Sequence, residues 1–108
     1  MLTKMAFFAG IVKAGKEPQM KHYVETTLKP LWQQFQPSVE VRVLYNMEQD
    51  ANGPPIPLVL AVTYIDEAAM AQAMETDARY KARDLLPGFY EQYFDDVKLL
   101  HYVFDQAA

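Results

Sequence analysis

The two histidines, His22 and His101, are the residues best suited to acid or base chemistry. Imidazole changes its charge close to neutral pH, so either side chain could move a proton. His101 shares one face of an extended segment with Leu99 and Val103, where removal from water would keep it neutral and make it a general base. An imidazole among apolar neighbours can also be a hydrogen-bonded core or interface residue. At about 100° per residue, His22 falls opposite the apolar stripe of its helix, which predicts a solvated side chain.

An arginine and several aromatic side chains are the residues best suited to bind a ligand. Arg42 and Glu40 lie two residues apart on one strand face, where the guanidinium could anchor an acidic ligand or form a surface ion pair of little energetic value. The chain has seven tyrosines, and its aromatic cluster at residues 89–94 could line a pocket for an aromatic substrate or simply fill the core. The candidate ligand-binding residues are Arg42, Tyr45, Tyr64, Tyr90 and Trp32.

Composition excludes several kinds of chemistry. The 108-residue chain has no cysteine, so disulfides, iron–sulfur clusters, thiolate zinc sites and a cysteine nucleophile are excluded. It contains no dinucleotide fingerprint, P-loop, HExxH motif or nucleophile elbow. We therefore expect no flavin, haem or tightly bound metal. The mixed charges of residues 77–84 predict a solvated helical face.

Charge and hydropathy limit the partners and the location. The net charge is −4, without a cluster of basic residues, so neither nucleic acid nor an anionic membrane is an expected partner. No apolar stretch reaches the roughly 18 residues that span a bilayer, and the first residues lack the features of a cleavable signal. These properties predict a cytoplasmic protein with residues 1–108 forming a single domain.

Four strands and two helical regions must position these residues. Residues 2–13 and 58–65 are apolar on both faces and predict central strands, whereas residues 38–46 and 97–105 alternate with polar residues and predict edge strands. A helix should start near Pro18 and be bent by Pro30. A second helix should start after Asp66, and a third from Ala78 should be interrupted at residues 86–88, resume through Phe94 and end in a turn at residues 95–96.

The order βαββαβ predicts an α+β, ferredoxin-like fold with an antiparallel sheet ordered 4-1-3-2. Helices can cover only one face of such a sheet, so the other face keeps apolar side chains such as Phe7 or Phe8 and Leu58 or Val59. A second copy placed sheet to sheet would bury that face and protect the open edges. We therefore expect a homodimer that forms a dimeric α+β barrel.

Three stretches resemble the EthD-like family of the dimeric α+β barrel superfamily. Met20–Tyr23 followed by Lys29–Leu31 looks like that family's aromatic/His-Trp pair and Pro-Leu step. Val59–Met74 is similar to its strand with an acidic cap before an Ala-rich helix. The third stretch, residues 76–95, contains the acidic and aromatic residues Asp77, Asp84, Tyr93 and Asp95 of its closing pattern. Tyr23 stands where the family has Trp, and the family's second His is absent, because Thr27 and Leu28 occupy the corresponding positions.

The resemblance implies that His22 and Tyr23 border a site, and that the protein serves a catabolic, oxidoreductase-associated pathway. With His101 from the residue analysis, the candidate catalytic residues are His101, His22 and Tyr23. Three functions stay open: binding of a small apolar or aromatic metabolite, cofactor-independent catalysis as a monooxygenase, isomerase or decarboxylase, and a non-catalytic interaction module. A cavity with Tyr, Trp or His in reach would favour the enzyme, and a filled core would favour the module.

Overall fold

A computed structural model describes residues 1–107 of the chain. The strands are β1 (Leu2–Val12), β2 (Glu40–Tyr45), β3 (Leu58–Tyr64) and β4 (Phe94–Asp105). The helices are α1 (Glu17–Tyr23), a π-helical turn (Val24–Leu28), α2 (Lys29–Trp32), α3 (Glu67–Met74) and α4 (Asp77–Tyr93). The sheet is antiparallel with the order β2-β3-β1-β4, and the helices cover one face. The predicted ferredoxin-like topology, with β1 and β3 central, is confirmed.

Proline affects the helices in two different ways. The π-helical turn ends at Leu28, two residues before Pro30, so the chain accommodates the missing N–H by widening one turn rather than ending the helix. The predicted interruption at residues 86–88 is wrong, because α4 continues through Pro87 and Gly88. Both residues are exposed, so water can bond the carbonyl that lacks a donor, while burial of Ala82 and Phe89 holds the helix in place.

The predicted turn at residues 95–96 is also wrong. β4 starts at Phe94, immediately after α4, and Ile11 pairs with Asp96 while Val12 pairs with Phe94. Asp95 is therefore the extra residue of a β-bulge. No separate loop joins α4 to β4, because the bulge bends the chain so that β4 can pair with β1.

Register divides the side chains of the sheet between two faces. The helix-side face contains the pairs Ala6–Leu60, Phe8–Leu58 and Ala6–His101. It packs on Met20, Val24, Leu28 and Phe89, each at most 1% exposed, and this packing forms the core. The periodicity of the sequence correctly groups the strand residues that share a face, and the structure shows that Phe8 and Leu58, rather than Phe7 and Val59, point to the helices.

No helix of residues 1–107 covers the opposite face, which we call the outer face. Phe7 and Tyr102 meet there edge to face at 5.6 Å, and Tyr102 stacks on Phe104 at 6.1 Å. Tyr102 and Phe104 are each 50% exposed. The larger apolar residues of the outer face are Met5, Phe7, Ile11, Leu44, Val59, Leu100, Tyr102 and Phe104. An apolar face of this extent is typical of a surface that a partner covers.

Candidate functional site

A cavity of about 270 Å³ lies between the helix-side face of the sheet and the helices α2 and α4. Its apolar wall comes from β1, β3 and the end of the first helical region. Phe8 and Trp32 lie 6.1 Å apart between ring centroids in this wall. The lining residues are Lys4, Ala6, Phe8, Trp32, Phe35, Leu60, Val62, Tyr64, Met74, Arg79, Ala82, Arg83, Leu86, Leu99 and His101. The space is large enough for a small, mostly apolar molecule.

The polar side chains that line the cavity are predominantly basic. Lys4 pairs with Val103 across the sheet, and His101 lies two residues away on the same face of β4. Arg79 and Arg83 are contributed by one side of α4. No Asp or Glu lines the cavity, although the chain contains 14 acidic residues against 10 Lys and Arg. The site is therefore positively charged within an acidic protein.

These basic groups change one another's protonation. Burial lowers the pKa of the Lys4 amine, and the charge of Arg79 lowers it further. Burial also lowers the pKa of the His101 imidazole, with smaller contributions from the charges of Lys4 and Arg79. His101 lies at the opening of the cavity and keeps an exposed side. A neutral imidazole in this position is able to accept a proton from a bound molecule.

Tyr64 places a hydroxyl in the buried part of the site. Its side chain is fully buried, and burial raises its pKa to about 12. The hydroxyl has no hydrogen-bond partner among residues 1–107. A buried polar group without a partner is uncommon in folded proteins and is a feature of ligand sites.

The structure brings together three of the predicted site residues and separates the others from them. Trp32, Tyr64 and His101 line the cavity. His22 is exposed on α1, and Tyr23 stacks on Phe89 with centroids 5.5 Å apart. Neither of these two residues lines the cavity.

Three further predicted residues also lie elsewhere. Tyr45 donates a hydrogen bond to Glu25 at 2.7 Å, and burial together with this carboxylate raises the pKa of the phenol. Tyr90 packs on Phe8, and burial raises its pKa to about 12. Arg42 lies on the outer face, with its Nε 2.9 Å from a carboxylate oxygen of Glu40.

Sequence reasoning missed Lys4, Arg79 and Arg83. The predicted solvated face holds for Asp77, Lys81, Arg83 and Asp84, which are exposed, whereas Arg79 is partly buried. The helix residues Arg79, Ala82, Arg83 and Leu86 line the cavity. Their spacing of three, one and three residues is that of one helix face, and this signal was present in the sequence. Lys4 could have been noticed as the one charged residue on the helix-side face of β1.

Residues 1–107 contain no group of three or more His, Asp or Glu side chains able to hold a metal ion. None of the helices described over this part of the chain is long and apolar enough to cross a membrane.

The chain matches no family model and no curated protein. Among solved structures, it is similar to an ethyl tert-butyl ether D (EthD) family protein from Bacillus halodurans, with a TM-score of 0.71, 14% identity and coverage of 99% of this chain and 100% of that chain. It is also similar to a mutant of SnoaB, a cofactor-independent oxygenase from Streptomyces nogalater, with a TM-score of 0.65, 13% identity and coverage of 99% and 93%. A dimeric ferredoxin-like protein of unknown function from Thermobifida fusca has a TM-score of 0.63, 12% identity and coverage of 95% and 90%.

The fold and the cavity define an α+β, ferredoxin-like protein with a basic, half-open site between its sheet and its helices. The chain shares this fold over almost its full length with an EthD family protein and with a cofactor-independent oxygenase. The predicted resemblance to EthD-like proteins is confirmed at the level of the fold.

The protonation of His101 leads to a first testable prediction. In an NMR titration, we expect His101 to titrate below the ordinary histidine value of 6.5, because burial and the neighbouring charges disfavour the imidazolium. The imidazole of His101 then binds a proton more readily in the unfolded chain than in the folded protein. The stability that His101 contributes is therefore present above about pH 6.5 and is lost as the pH falls through the lowered pKa.

Two variants test whether the charge of Lys4 contributes to the lowered pKa of His101. Lys4→Met should move the His101 pKa upward, because it removes a positive charge on the same sheet face. Lys98→Met is the control, since Lys98 is exposed on the outer side of the same strand. A His101 pKa at or above 6.5 in the wild type would contradict the prediction.

Proposed function

We propose that this protein is a homodimer that binds a small apolar or aromatic metabolite in the cavity and acts in an oxidoreductase-associated catabolic pathway. The observation on which the proposal depends most is the cavity itself, which has apolar walls and a few polar groups. Binding sites for small molecules commonly combine these features. The uncovered outer face supports the dimer, as does the fold shared with a ferredoxin-like protein whose structure is described as dimeric.

Cofactor-independent catalysis is the second candidate, and His101 favours it. A neutral imidazole at the opening could remove a proton from a bound molecule, and Lys4 and Arg79 would stabilise the anion that forms. In an oxygenase, that anion would itself supply the electrons that reduce dioxygen, while an isomerase or a decarboxylase would use the same stabilisation of negative charge. The fold shared with SnoaB supports this candidate. The open cavity supports both candidates over a non-catalytic interaction module.

Filling the cavity tests the proposed binding site. Ala82 is 3% exposed and lines the cavity, so Ala82→Leu should occupy part of the space and abolish ligand retention. Ala71→Leu is the matched control, because Ala71 is an exposed helical alanine away from the cavity. Native mass spectrometry after incubation with a defined set of small aromatic and aliphatic compounds should show one ligand per chain for the wild type and for the control.

Circular dichroism confirms that both variants are folded before the comparison. Retention of the same ligand by folded Ala82→Leu would place binding outside this cavity. An absence of any retained compound on the wild type would count against the proposed function. Mass spectrometry of the retained compound after incubation then separates the two candidates, because only an enzyme is expected to convert it to a product. Consumption of dioxygen during that conversion would identify an oxygenase rather than an isomerase or a decarboxylase.

A further inference from the structure

Two of the positive charges at the cavity, those of Lys4 and Arg79, are not balanced by an acidic side chain in contact with them. The guanidinium of Arg79 makes no hydrogen bond or ion pair with another side chain of residues 1–107. The Lys4 amine has only the sulfur of Met74 as a partner, at 3.2 Å, and a thioether is a weak acceptor. Two cations, partly removed from water, therefore lie beside an apolar cavity without a counterion.

Two of the nearby carboxylates, Glu75 and Asp84, have other partners. Glu75 accepts a hydrogen bond from the Tyr80 hydroxyl at 3.0 Å, and Asp84 lies 3.4 Å from the Arg83 guanidinium. The guanidinium carbons of Arg79 and Arg83 lie 5.2 and 5.1 Å from the centre of the Tyr80 ring. This aromatic ring restrains both arginines at the cavity without neutralising either of them.

We infer that the natural ligand is an apolar molecule with an ionised oxygen acid, such as a carboxylate, which binds Arg79 and Lys4 while its apolar body occupies the cavity. This inference rests on the proposed function, because it specifies the chemical class of the ligand at the same site. An anion would supply the missing counterion, and a guanidinium matches the geometry of a carboxylate.

The remaining polar and apolar groups agree with such a ligand. The apolar wall formed by Phe8, Trp32 and Leu60 would bind the body of the molecule and not a hydrated inorganic ion. The Tyr64 hydroxyl, buried and without a partner, is available for a second polar atom of the ligand. Selectivity would then depend on two groups of the ligand: the acid that binds Arg79 and Lys4, and a polar atom that bonds the Tyr64 hydroxyl.

The test compares two probes of nearly the same shape, 2-naphthoate and the neutral 2-naphthamide, by isothermal titration calorimetry. The wild type should bind the acid at least about tenfold more tightly than the amide, as expected for hydrogen bonds to a charged group. Arg79→Gln and Lys4→Met should each weaken naphthoate binding about tenfold and change naphthamide binding less than about twofold. Lys81→Gln is the control, because Lys81 is exposed on the same helix and does not line the cavity.

The outcomes separate this inference from the proposed function. Equal affinity for the acid and the amide would overturn the inference and leave the apolar binding site intact. If neither naphthoate nor naphthamide binds at millimolar concentration, both the inference and the proposed function are overturned. Inorganic phosphate binding as tightly as naphthoate would also overturn the inference, because the apolar body would then contribute nothing. An equal loss in Lys81→Gln and Arg79→Gln would show that only the overall charge matters, which contradicts a specific site.

Discussion

Phe104→Asp should be a monomer at concentrations at which the wild-type protein is a dimer. Phe104 lies on the outer face, stacked on Tyr102, and is 50% exposed in the single chain. A stable dimer buries about 1,200 Å² or more in total, and we expect the uncovered apolar outer face to supply this area. A carboxylate on this face would have to lose its hydration without a partner when the second copy covers it, so we expect the dimer to dissociate at least about 100-fold more readily.

Val103→Asp is the matched control for this substitution. Val103 is the preceding residue of β4, is 48% exposed and faces the helix side. The change in charge and the exposure are nearly the same, and only the face of the sheet differs. Sedimentation velocity at several micromolar should show a dimer for the wild type and for Val103→Asp. A monomeric wild type, or a Phe104→Asp dimer, would contradict the predicted sheet-to-sheet association.

Strand positions and faces could be predicted from the sequence because a strand's side chains alternate with a period of two. β1 and β3 are apolar on both faces, and this property alone places them in the centre of the sheet. The polar alternation of β2 identifies it as an edge strand in the same way. Proline was harder to interpret, because its effect depends on exposure. Pro87 is accommodated where water can replace the missing hydrogen bond, and local sequence does not reveal that exposure.

The site was less accessible to sequence reasoning because it combines residues that are distant in the chain. Lys4 and His101 become neighbours only through the pairing of the first and last strands. Arg79 joins them only when α4 packs over this part of the sheet. Alternation predicted the face of His101, but the charges beside it depend on which helix covers that face. A basic site could therefore not be inferred from a net charge of −4.

Two glycines offer a test of the β-bulge and of the uninterrupted α4. A Cβ built on Gly10 would lie 1.9 Å from the carbonyl oxygen of Asp96 and 2.6 Å from the Cα of Val97. These are backbone atoms of β4, so the contact can be relieved only by separating β4 from β1. We expect Gly10→Ala to lower the free energy of unfolding by about 3 kcal/mol or more, at the upper end of the range for overpacking.

Gly88→Ala is the matched control with the opposite expected sign. Gly88 is exposed within α4, and a Cβ there would meet no atom within 4 Å. Alanine favours the helical backbone over glycine, so this variant should raise the free energy of unfolding by about 0.5–1 kcal/mol. Urea unfolding of both variants and the wild type at one protein concentration provides the comparison, since the proposed dimerisation would make the apparent stability depend on concentration. A stable Gly10→Ala would mean that β4 does not approach β1 closely at the bulge, and a destabilised Gly88→Ala would mean that α4 is interrupted there.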